Sequence, residues 1–193
     1  MGQKGDRTRD SLIAAMIELL QSRGYAGAAL NDITALASAP RGSVYFHFPD
    51  GKEQLAIAAI EAAAALVENQ IDQACAKARS PLQVVTHAAR TFGAMLQQSD
   101  FAKGCPLTAV AATLTGDSPG LQRACAAGFE RWIAILAAHL KRTGIAPRRA
   151  AKIAEAALAS TEGALVMARA CRSLAPLESV IAAQASILEG EKV

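Results

Sequence analysis

The chain has 193 residues, 52% of them hydrophobic but only 4% aromatic, and a formal net charge of +3. That length holds a small module beside a larger unit with its own core, and an interior of alanine and leucine suits packed helices. No stretch alternates apolar and polar residues over strand length, and the scattered cysteines and histidines exclude a disulfide framework or metal-ligand spacing, so the reading is all-α and metal-free.

Nine helices are expected. The first runs from about Thr8 to Arg23, with Leu12, Met16, Leu19 and Leu20 as its inner stripe, and stops at Gly24, which suits a left-handed C-terminal cap. In the second, Leu30, Ile33 and Ala37 share one face. After the break at Ser38-Ala39-Pro40 a third, short helix turns Val44 and Phe48 inward at i, i+4. Pro40 suits the first turn of that helix, because its φ is already set and its missing N–H has no helical partner there. The fourth helix extends from Lys52 to about Arg79, long enough to leave a first module and enter a second. Ser80-Pro81 opens the fifth, which carries Leu82, Val85, Ala89, Phe92 and Leu96. A loop from Lys103 to Pro106 precedes a sixth helix, from Leu107 to about Thr115. The break at Gly116 to Gly120 offers Ser118 as an N-cap. The seventh, about Pro119 to Arg142, presents Leu121, Cys125, Phe129, Trp132, Leu136 and Leu140. The eighth, about Pro147 to Arg172, and the ninth, about Leu177 to Glu189, complete the chain.

Helices two and three have the shape of a helix-turn-helix. On the outer face of the third, Arg41, Gly42, Ser43, Tyr45 and His47 form a small or donor-bearing set, placed where a groove-inserted helix meets base edges and phosphates. Lys52 follows Pro49-Asp50-Gly51 at the start of the next helix, where free N–H groups and the dipole favour a phosphate. The same spacing also fits an ordinary two-helix corner with a solvated polar face.

Gly24-Tyr25, Asp32-Ile33-Thr34, Gly42-Ser43-Val44-Tyr45-Phe46-His47-Phe48 and Lys52-Glu53-Gln54-Leu55 together resemble the DNA-binding domain of TetR-family transcriptional repressors. The run from Ala39 to Ala56, with GCPLTAVA from Gly104 and EGALVMARA from Glu162, is similar to the LmrA/YxaF subgroup. The resemblance implies a DNA-binding domain over residues 1–51 and a ligand-binding and dimerisation domain over 52–193. It implies DNA contacts from Asn31, Arg41, Gly42, Ser43, Tyr45, His47 and Lys52. It further implies a homodimer on a palindromic double-stranded operator, released by a small apolar or planar inducer. Two positions depart from the pattern: Ala29 stands where a hydroxyl residue usually caps the second helix, and Ser38 where the turn usually has glycine.

Charge adds little. Lys4, Arg7, Arg9, Arg23, Arg41 and Lys52 are nearly balanced by Asp6, Asp10, Glu18, Asp32 and Asp50, with no polybasic run. In the second unit Phe92, Met95, Leu96, Leu107, Val110, Phe129, Trp132 and Ile133 are candidates to line an inducer cavity, or are simply core. Helices eight and nine are rich in small residues, among them Ala156, Ala159, Gly163, Ala182 and Ala183, which permits close approach to each other or, as the resemblance implies, to a second copy. Four reduced thiols in a cytoplasmic protein are expected, with no membrane segment, no cofactor and no enzymatic motif. Alternatives are a thiol- or oxidant-sensing regulator acting through Cys105 in its Gly-Cys-Pro loop, and a helical protein–protein adaptor that does not read DNA.

Overall fold

The computed structural model describes residues 2–114 and 118–189. Nine α-helices and no strand form among the described residues: α1 Gly2–Gly27, α2 Leu30–Leu36, α3 Gly42–His47, α4 Lys52–Cys75, α5 Pro81–Gln98, α6 Pro106–Ala111, α7 Pro119–Arg142, α8 Pro147–Cys171 and α9 Ala175–Glu189. None of them is long and apolar enough to cross a membrane.

Differences from the expected boundaries have local causes. α1 begins at Gly2 rather than near Thr8, although Gly2 and Gly5 are poor helix formers. It is interrupted at Gly24, whose φ of 69° is open to glycine without steric cost. α4 regularly ends at Cys75 rather than Arg79, and the freed carbonyls of Cys75 and Ala76 accept N–H groups of the Arg142 guanidinium at 2.8 and 2.6 Å. α6 stops at Ala111 and relaxes into turns through Leu114; its expected end at Thr115, with Gly116 and Asp117 of the following break, lies outside the described residues. The Ser118 carbonyl accepts the Gln122 N–H at 3.2 Å as α7 begins.

The chain divides into two compact units, Met1–Ala65 with Pro106–Gly128 and Leu66–Cys105 with Phe129–Val193. α4 and α7 therefore each supply residues to both. In the first unit α1 packs against α2, α3 and α6, and Leu12, Met16, Leu20, Ile33, Val44 and Phe48 are all buried. Leu107 is pressed against α7, because a Cβ on Gly128 would fall 2.5 Å from its Cδ2 and 3.2 Å from the Ala64 Cβ. Only glycine permits that approach.

In the second unit α5, α8 and α9 pack on one another. The ends of α4 and α7 are pinned by a polar cluster in which His139 Nε2 lies 2.8 Å from Asp72 Oδ1 and Nδ1 lies 2.6 Å from the Arg142 guanidinium. A guanidinium only donates, so Nδ1 accepts and the Nε2–H donates to Asp72. Both ring nitrogens of a histidine only 7% exposed are thereby satisfied.

Candidate nucleic-acid interface

α2 and α3 are built to show one face and bury the other. Ile33 of α2 and Val44 and Phe48 of the α3 segment lie inward at 0–2% exposure, while Leu30 and Ala37 are half-buried at the edge of the contact. α2 lacks a side-chain cap, as Ala29 foretells: its backbone is extended there, with φ −75° and ψ 144°, and no side chain satisfies the first N–H groups. At the other end the Ser38 N–H donates to Ala35 O and the Ala39 N–H to Thr34 O, at 3.1 and 3.0 Å. That pair of bonds is a Schellman stop, and it places Ser38 at φ 51°, the left-handed position where glycine usually sits. Serine thus keeps the turn geometry at a cost in backbone strain.

Pro40 initiates the next element from just outside it. Its carbonyl accepts the Ser43 N–H at 2.9 Å and that of Arg41 accepts the Val44 N–H at 3.3 Å, so the chain is already turning helically before α3 proper begins at Gly42. Arg41 and Gly42 are exposed, Ser43 and His47 half-buried, and Tyr45 is 53% exposed. Asn31 is exposed on α2. A Cβ on Gly42 would meet nothing within 4 Å, so the start of α3 offers bare backbone to a close neighbour.

Lys52 has a task inside the fold. Its Nζ donates to the Tyr25 carbonyl at 2.7 Å and stands 4.3 Å from the centre of the Tyr25 ring, tying the end of α1 to the start of α4. Burial pushes the lysine below its ordinary pKa, and burial followed by the charge of Glu53 raises the Tyr25 phenol. The expected free phosphate clamp is therefore first an internal pin, with one of its three N–H groups committed. Arg23 is likewise engaged, 2.8 Å from Asp32. Gly51, at φ 74°, makes the turn into α4.

Sequence reasoning missed Phe46. It is 79% exposed on α3, about 200° around the helix from the buried Val44, so helical periodicity already placed it outward. A search for donor-bearing residues passes over it.

The eight candidate cavity residues are divided between the two units. Leu107 and Val110 belong to the first unit and are fully buried there. Phe92, Met95, Leu96, Phe129, Trp132 and Ile133 belong to the second unit. Trp132 receives Phe92 and Phe129 edge-on at ring separations of 5.5 and 5.8 Å. A half-open groove of about 260 Å³ in that unit is lined by α5, α8 and α9 through Val85, Ile153, Ala157, Ser160, Val180 and Gln184 among others, and by none of the eight. Gln184 donates to Ser160 Oγ at 2.9 Å while its own buried Oε1 has no partner.

Residues 12–59 match the family model for bacterial regulatory proteins of the tetR family, and residues 81–183 match that for the C-terminal domain of LmrA/YxaF-like transcriptional regulators. The chain is 28% identical to the HTH-type transcriptional regulator LmrA of Bacillus subtilis, over 88% of this chain and 90% of that protein. It is 33% identical to an uncharacterized HTH-type transcriptional regulator of Mycobacterium tuberculosis, over 89% of each. Among solved structures, a TetR transcriptional regulator from Chloroflexus aurantiacus superposes with a TM-score of 0.81 at 28% identity, covering 97% of this chain and 96% of that one. With its helix-turn-helix built as described and both halves matched, the chain belongs to the TetR family of bacterial transcriptional regulators and is not an enzyme.

Proposed function

We propose that the protein is a ligand-responsive repressor, a cytoplasmic homodimer that holds a palindromic operator and is released by a small apolar or planar inducer. Residues 1–51 read the DNA and residues 52–193 bind inducer and the second copy. One observation carries the reading: α3 buries Val44 while its Gly42 and Tyr45, and Arg41 just before it, are exposed. A recognition helix needs that division.

In this account Arg41 and Ser43 meet base edges or phosphate, Tyr45 and His47 meet the backbone, and Asn31 and the remaining N–H groups of Lys52 add phosphate contacts. Two copies present two such helices about 34–36 Å apart, in successive major grooves. The second copy docks on α8 and α9, where Ala156, Ala159, Gly163, Val166, Met167, Ala182 and Ile187 are exposed. Inducer contacts come from Phe92, Met95, Leu96, Phe129, Trp132 and Ile133, and α4, a continuous helix supplying both units, carries the change. Ligand biases the equilibrium only through its different affinity for the two arrangements, so operator and inducer must weaken each other by the same factor.

Selection from random duplexes tests the reading. Retention of a palindromic sequence by the full chain supports it, whereas recovery of no preferred sequence favours a helical adaptor.

A further inference from the structure

Phe46 is the most exposed of the large hydrophobic side chains on the described surface, at 79%. Its ring is nevertheless oriented. It meets the His47 ring edge-on, with centroids 4.9 Å apart and planes at 86°. His47 is itself backed by Phe48, at 6.5 Å between rings, and by α1, where a Cβ on Gly5 would lie 3.9 Å from its Cε1. Tyr45 leans elsewhere, its Cε1 3.5 Å from the place a Gly51 Cβ would take.

The face of α3 beneath Phe46 is bare. Gly42 lies four residues earlier on the same face, helical side chains tilt toward the N-terminus, and a Cβ at Gly42 would touch nothing within 4 Å. A flat strip of backbone next to one bulky aromatic ring lets the helix settle deep while the ring meets the base edges. The major groove offers a single apolar group, the thymine 5-methyl. A phenyl ring set over the amino or carbonyl edge of another base would desolvate it without replacing its hydrogen bond.

We infer that Phe46 reads a thymine through its 5-methyl group, once in each half-site. The inference rests on the DNA-reading function proposed above and names the base that function selects. Uracil at that position removes the methyl and leaves every hydrogen-bonding group of the base in place.

The test uses the full chain and the duplex recovered by selection, with each symmetric pair of thymines replaced in turn by uracil and affinity read by fluorescence anisotropy. For one pair, uracil should weaken the wild type about four-fold per half-site, the worth of one buried methyl. Phe46→Ala should lose a similar factor on the thymine duplex and be indifferent to uracil there, and Phe46→Leu should keep part of the preference. Equal uracil sensitivity in wild type and Phe46→Ala overturns the inference, as does a Phe46→Ala loss that is the same on thymine and uracil duplexes. A wild type that retains no duplex in the selection overturns the DNA-reading function itself, before any base is changed.

Discussion

Ser38 shows how one residue sets a local cost. Its φ of 51° is unfavourable for a side chain bearing a Cβ, yet both bonds of the Schellman stop form around it. Ser38→Gly should therefore stabilise the protein by about 0.5–1 kcal/mol in urea unfolding; no gain would mean that the turn is not strained. The cysteines divide by environment in the same residue-level way. Burial, aided by Asp72, pushes the Cys75 thiol up to about 11, and burial alone does the same for Cys125, while Cys171 is exposed and Cys105 half-buried. A thiol reagent at pH 8 should modify Cys171 in the native protein while Cys75 and Cys125 stay protonated and unreactive until the chain unfolds. Immediate modification of all four would contradict the burial that sets those pKa values.

At the scale of the element, what was legible in the sequence is what local chemistry dictates. The Ile33–Val44–Phe48 inner face and the missing cap at Ala29 follow from backbone geometry and helical period, and the structure has both; at Gly24 it has a kink, with ψ −178° and helix again to Gly27, in place of the expected left-handed stop. The end of α4 was not legible, because it depends on Arg142, far away in the chain. Nor was the groove of the second unit, which opens where Ala157 of α8 and Ala183 of α9 leave volume facing Val85 of α5; small residues read equally well as close packing. Lys52 reads as a phosphate-binding group because its partner, a backbone carbonyl, has no signature in the sequence. Two element-level consequences can be measured. Ala29→Ser places a hydroxyl on a backbone already in the capping conformation and should raise stability by about 1 kcal/mol, read as a higher melting temperature. Arg142→Ala strips the end of α4 of two carbonyl partners and His139 Nδ1 of its donor, and should cost about 2–4 kcal/mol in denaturant unfolding. An effect below half a kilocalorie for Arg142→Ala would show that water replaces the guanidinium freely.

For the whole molecule the charge balance decides how DNA is held. With a net charge of only +3 and Arg23 paired to Asp32, the phosphate binding proposed above rests on a few placed groups, which the proposed second copy would double. Log affinity should fall linearly with log salt by roughly 0.9 per phosphate neutralised, and a slope near zero would leave no role for those groups. The account stands or falls on α3 entering the major groove in two symmetric places, which methylation of guanine N7 by dimethyl sulfate reads directly. On the selected duplex the wild type should protect N7 positions in two blocks about one helical turn apart, with adenine N3 in the minor groove still reactive and protection weakened throughout by Tyr45→Ala. Guanines that stay fully reactive under saturating protein, or protection confined to the minor groove, would contradict it.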